Sequence, residues 1–180
     1  MFDALFFDYT YPHMTLTSHA VAGAAVATLA PQNPILAFAF GFLSHYLLDA
    51  FPHGHYPLRS LIPSPKDKLK EDMTWGWNFV IDLFKMGADF LLGLGLAYLL
   101  FAAPNKSGML AIMLGALAGT LPDPLHFVYW KLRQEPFISL SKFHLSIAAT
   151  KDFDGDTKKT LLVEISAIVA SILFAKLISL

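Results

Sequence analysis

The sequence predicts an all-α fold: an integral-membrane bundle of four to five transmembrane helices with one interfacial helix. Three observations predict it. Hydrophobic residues make up 55% of the 180 and charged residues only 15%, against about 25% charged in an ordinary soluble domain. The stretch Phe90 to Phe101 carries no charge at all. The apolar runs are punctuated by prolines, at Pro31, Pro52 and Pro122, as helices are at their ends.

Residues 1–180 read as a single transmembrane helical domain, with 1–15 as an N-terminal extension. Met1 to Pro12 contains acids but no bases and so lacks the basic start of a signal peptide. The first helix is expected over about Thr17 to Ala30, where Ala20, Gly23, Ala24 and Ala27 place small residues at helical spacing for close contact. The second runs from Pro34 to Phe51, framed by prolines. A polar, proline-rich loop follows from Pro57 to Asp72. The third helix covers Thr74 to Ala102, its first half carrying Asp82, Lys85 and Asp89 at spacings that let them neutralise one another. The fourth extends from Ser107 to Leu121, breaks at Pro122-Asp123-Pro124 and resumes through Trp130. Residues 131–159 form a polar, cytoplasmic interfacial segment with a short helix around Ile138 to Ala149. The fifth helix spans Thr160 to Leu180, with Glu164 placed to complement its N-terminal dipole.

Five spans sort the loops onto two sides. Arg59, Lys66, Lys68, Lys70, Lys131, Arg133, Lys142, Lys151, Lys158 and Lys159 fall on one, Lys106 and Lys176 on the other. Ten bases against two make the first side cytoplasmic, which predicts an inner-membrane protein. Trp75, Trp77, Tyr129 and Trp130 lie at the same boundary, where aromatic belts occur.

The residues that carry chemistry converge on that side. His45, Asp49, His53 and His55 fall within eleven positions at the end of the second helix. His45 and Asp49, four apart, share one helix face and can reach one ion. His19 starts the first helix, while Asp123 and His126 end the fourth. Asp123 between two prolines is expected at a helix break, its carboxylate displayed, though it also fits as a cap for a resuming helix. Asp82 is a candidate general base and Asp49 a second, besides its place as a ligand. His144 reads as solvated surface. The absence of cysteine excludes disulfides and thiolate ligands. The donors left suit a divalent metal: zinc, with iron or manganese as alternatives. A net charge of −1 gives no electrostatic reason to expect nucleic acid.

Thr17-Ser18-His19 with Gly23, together with Gly119-Thr-Leu-Pro122-Asp123-Pro-Leu-His126, resembles the bacterial membrane-bound metal-dependent hydrolase family, the YdjM-like proteins. In that family a Thr-His pair opens a small-residue helix and a Leu-Pro-Asp-x-Asp-His signature follows. Here Ser18 precedes His19, Leu125 stands in place of the second acid, and the signature comes later in the chain. Separately, His45-Tyr-Leu-Leu-Asp49, Pro52 and His55 are similar to the zinc-dependent phospholipase C and single-strand nuclease superfamily. That resemblance implies zinc ligation by His45, Asp49 and His55 in a helical phosphoesterase, with His19 and Asp123 completing one or two centres. The second His-x-x-x-Glu motif of those enzymes is missing.

The expected function is a membrane-embedded metal-dependent hydrolase, a phospholipase C-like phosphoesterase acting at the cytoplasmic face. Its partners would be the lipid bilayer and a small-molecule or lipid phosphoester. The alternative is a non-catalytic membrane protein that binds or carries divalent metal.

Overall fold

The computed structural model describes residues 15–53, 58–103, 105–149 and 156–178. Among these the chain forms α1 (Leu16–Ala27), α2 (Pro34–Asp49), α3 (Trp77–Leu100), α4 (Lys106–Thr120), α5 (Pro122–Leu132), α6 (Phe137–Ile147) and α7 (Thr157–Ile178). A two-residue antiparallel ladder pairs β1 (Leu61–Ile62) with β2 (Asp72–Met73). The all-α class holds, but four to five spans do not follow from it. Among the described residues, α3 and the Lys158–Ile178 part of α7 are long and apolar enough to cross a membrane. The pair α4 and α5, bent by 44°, passes together as a third.

The helices α1 and α2 fall short for a physical reason. They have 12 and 16 residues, which at about 1.5 Å per residue reach about 18 and 24 Å, against roughly 30 Å of hydrocarbon. Instead α1 is an internal helix, packed against α2, α3, α4 and α7 and buried around nearly its whole circumference. A helix apolar on every side belongs inside. Its Ala20, Ala24 and Ala25 meet Ala97 of α3, Ala116 of α4 and Ala175 of α7. Small side chains let helix backbones approach where lipid offers no hydrophobic drive between them.

The closest approach is at Gly115 and Gly119 of α4. A Cβ on Gly115 would stand 2.4 Å from the Cβ of Ala27 and 2.7 Å from the Gly23 carbonyl oxygen. One on Gly119 would stand 2.5 Å from the carbonyl oxygen of His19, and one on Gly41 of α2 2.2 Å from that of Gly115. The three helices therefore touch backbone to backbone, and this contact sets the positions of His19 and His45.

Acids on α3 and α7 serve across the bundle rather than along their own helices. Asp89 accepts hydrogen bonds from the Thr17 backbone N–H (3.0 Å) and from Thr17 Oγ1 (2.6 Å). It thereby satisfies a donor that the first turn of α1 leaves open, and sets a negative charge at that helix's positive end. Thr15 Oγ1 donates to Glu164 Oε2 at 2.8 Å. Asp82, buried, accepts from the backbone N–H (2.8 Å) and Oγ (2.7 Å) of Ser60. The mutual neutralisation of Asp82, Lys85 and Asp89 expected from spacing thus gives way to bonds with other elements.

Residues 58–74 form a small lobe docked on α5. The Arg133 guanidinium reaches the Leu69 and Glu71 carbonyls, Tyr129 Oη donates to Leu69 O at 2.8 Å, and Lys131 Nζ pairs with Asp72 Oδ1 at 2.6 Å. Burial alone would push the Asp72 carboxyl up, but the Lys131 ammonium, the Met73 N–H and the Arg133 charge together outweigh it and hold the group below the usual carboxylate range. Tyr129 and Trp130 are buried beneath this lobe with Met73, so they form its core and not an aromatic belt. Trp75 and Trp77 are exposed, as a belt requires.

Candidate metal centre

The C-terminal end of α2 carries His45 and Asp49 one turn apart, and three other segments bring side chains to them. The helix α1 begins beside them with His19, pressed there by the Gly119 contact. The turn from α4 into α5 brings Asp123. It sits in the first turn of α5 with Pro122 before it, where proline is tolerated because those N–H groups have no helical partner. The bend falls just ahead of Asp123, so the residue is helical and not displayed at an irregular break. The helix α6 delivers His144; its C-terminus is tied back to α2 by a hydrogen bond from Ala149 N–H to Asp49 O, 2.8 Å.

His19, His45, Asp49 and His144 are buried, and the Asp123 side chain is 8% exposed. His19 and His45 stack with ring centroids 4.0 Å apart. His19 Nε2 lies 3.3 Å from Asp49 Oδ1, His45 Nε2 3.0 Å from Asp49 Oδ2 and 3.5 Å from Asp123 Oδ1. His144 Nε2 lies 3.3 Å from His45 Nε2 and 2.6 Å from Asp49 Oδ2. Among the described residues, two groups have all their donor atoms within 4.8 Å of one another: His19, His45 and Asp49, and His45, Asp123 and His144. Asp49 faces both, since Oδ1 looks toward His19 while Oδ2 looks toward His45 and His144.

The spacings fit a shared ion. Donors about 2.0–2.1 Å from a tetrahedral metal stand about 3.3–3.4 Å apart, close to most of these separations. The shorter His144–Asp49 contact is a hydrogen-bond distance, and a metal would displace the proton shared there. The protonation pattern fits as well. The Gly119 carbonyl can only accept, so the bond of 2.9 Å from His45 Nδ1 fixes the proton on that nitrogen. In neutral His45 a lone pair on Nε2 then faces the Asp49 carboxylate, two acceptors in contact that a metal ion or a further proton between them would reconcile. Metal-ligating histidines characteristically donate their other N–H to a carbonyl in this way. Among the described residues His19 Nδ1 has no hydrogen-bond partner, and His19 Nε2 and Asp49 Oδ1 face each other at 3.3 Å without good hydrogen-bond geometry; such groups are costly unless something binds them.

Comparison with protein family models, with curated proteins and with solved structures finds no match to this chain.

The remaining candidates divide. His53 borders the cluster, its Nε2 3.9 Å from Asp49 Oδ1, with Nδ1 bonded to the Phe51 carbonyl at 2.6 Å. His126 is buried and packs edge-on against Trp130 and His144, at centroid distances of 4.9 and 5.7 Å. It joins neither group of three. Asp82 joins neither as well, being engaged by Ser60. His55 lies outside the described residues. His144 is the residue read as solvated surface that the structure instead buries among the ligands. It shares the inward face of α6 with Phe137 and Ser141, at i, i+4 and i+7, a spacing too weakly apolar to mark that face in the sequence.

Proposed function

We propose that this cluster is the metal centre of a membrane hydrolase, a phosphoesterase of amphiphilic substrates at the cytoplasmic face. The observation that carries it is the lone-pair face of His45 against Asp49, with His19, Asp123 and His144 completing a donor set of nitrogen and carboxylate atoms. Such a set suits zinc, or iron or manganese. A bound ion supplies Lewis acidity and a water of lowered pKa. The residues do the rest. His45 is oriented by Gly119 O; Asp49, engaged by the imidazoles on both oxygens, serves as ligand more than as base. Asp82 serves as base only if its Ser60 bonds open. The likeness to the membrane-bound metal-dependent hydrolases supports this reading through His19 and Asp123, and the excess of bases on the loops at the site's end supports the cytoplasmic side.

A metal carrier would need polar groups leading away from the site. Beyond His19 the interior of α1 is alanine, glycine and valine, which disfavours transport.

The test is metal content of the detergent-purified chain beside a His45→Ala/Asp49→Ala double variant, with hydrolysis of bis(p-nitrophenyl) phosphate as second readout. Wild type should carry about one or two equivalents of metal and the variant none. No metal above background in folded wild type would overturn the proposal. Metal without turnover of any phosphoester would leave a binding protein.

A further inference from the structure

An apolar pocket of about 90 Å³ lies against the ligand cluster, reaching Asp123 and His126 at one end. Phe79, Leu83 and Met86 of α3 form one wall, at the i, i+4, i+7 spacing of a single helix face. Met73 of the docked lobe and Phe127 of α5 also line it. Beside these apolar side chains the pocket is lined by Asp123, His126 and Trp130, and Asp123 is the residue 3.5 Å from His45 Nε2.

Its rim opens on the exposed apolar face of α3. Leu83 is 57% exposed and its neighbour Phe84 77% exposed, on a helix long and apolar enough to span. Leu83 is also six residues, about 9 Å of helix, beyond the exposed Trp77 at the boundary. A polar group seated against Phe79, Leu83, Met86, Met73 and Phe127 would meet only apolar side chains, at a cost that disfavours it. The volume is several times the roughly 10–15 Å³ that a single water needs by the same measure, enough for a short length of hydrocarbon.

We propose that this pocket is the hydrocarbon subsite of the metal centre. It seats the first few carbons of a membrane amphiphile's alkyl chain, so that the adjoining ester is presented at Asp123, while the rest of the chain stays in the bilayer along α3. This rests on the hydrolase reading above and names its substrate as a lipid entering sideways from the membrane, not a water-soluble ester.

The experiment is photo-crosslinking of the full chain, zinc-loaded in lipid nanodiscs, with an alkyl phosphate bearing a diazirine near its phosphate end. Adducts are mapped by mass spectrometry, and zinc is measured on the same sample. Adducts should fall on Leu83, Met73 or Phe127 and be competed by octyl phosphate. Leu83→Trp, which fills the pocket, should lower them about tenfold with zinc retained. The wild-type map is read without the variant, so a variant that misfolds does not decide the matter. Adducts confined to outward residues such as Phe84 and Leu91, with zinc bound, would overturn the subsite and leave the hydrolase standing. Competition by methyl phosphate equal to that by octyl phosphate would also overturn it. Pocket adducts in a chain that binds no zinc would overturn the substrate role and the hydrolase together.

Discussion

At the scale of single residues, the site turns on where protons can sit. His45 gives its Nδ1 proton to Gly119 O, and the nitrogen left over faces a carboxylate. His144 stands on the other side of the same Asp49 oxygen. Removing it by His144→Ala should weaken metal binding by roughly tenfold or more, measured by competition with a chromogenic chelator; unchanged affinity would place His144 outside the ligand set. His45 and Asp49 were legible in the sequence because a shared helix face needs only a spacing of four. His144 was not, since ninety-five residues separate it from Asp49 and its neighbours Lys142 and Ser146 look solvated. Only the tertiary fold turns its face of α6 inward.

At the scale of elements, the helices meet through glycine, and the cost of disturbing that contact can be read directly. Gly119→Ala would bring a methyl to 2.5 Å from His19 O and must push α1 from α4. The expected loss is about 1–3 kcal/mol, seen as lowered thermal stability in detergent together with weakened metal binding, because His19 and the carbonyl that orients His45 both move. The docked lobe gives a pH dependence. The Asp72 carboxyl is held low in the folded protein, so its contribution is present above the unfolded pKa near 3.8 and is lost as pH falls through the lower folded value. Hydrogen exchange of residues 58–74 should therefore be steady from about pH 7 to pH 5 and quicken, after correction for intrinsic rates, below about pH 4. Asp72→Asn should exchange fast throughout. Helix existence was readable at this scale; span number was not. Hydropathy is the same whether a helix is surrounded by lipid or by other helices. The distinction lay in the short, alanine-rich α1 against the leucine- and phenylalanine-rich α3.

At the scale of the whole molecule, the chain suits a direct measurement of its orientation. It has no cysteine, so single cysteines report without interference. Lys66→Cys should resist a membrane-impermeant maleimide in intact cells and react after lysis, while Asn105→Cys, at the opposite end of the bundle, should react in intact cells. The reverse pattern would put the site outside. The donor set has a broader consequence, because its members come from α1, α2, α5 and α6 and span residues 19 to 144. An ion held by His45, Asp123 and His144 acts as a cross-link, closing a loop of about a hundred residues in a chain that has no disulfide to do so. Helices too short to be anchored by the bilayer would then owe their seat to the ion, and stability would rise and fall with free metal concentration. Metal starvation would loosen the bundle itself, making its lifetime in the membrane a gauge of metal supply.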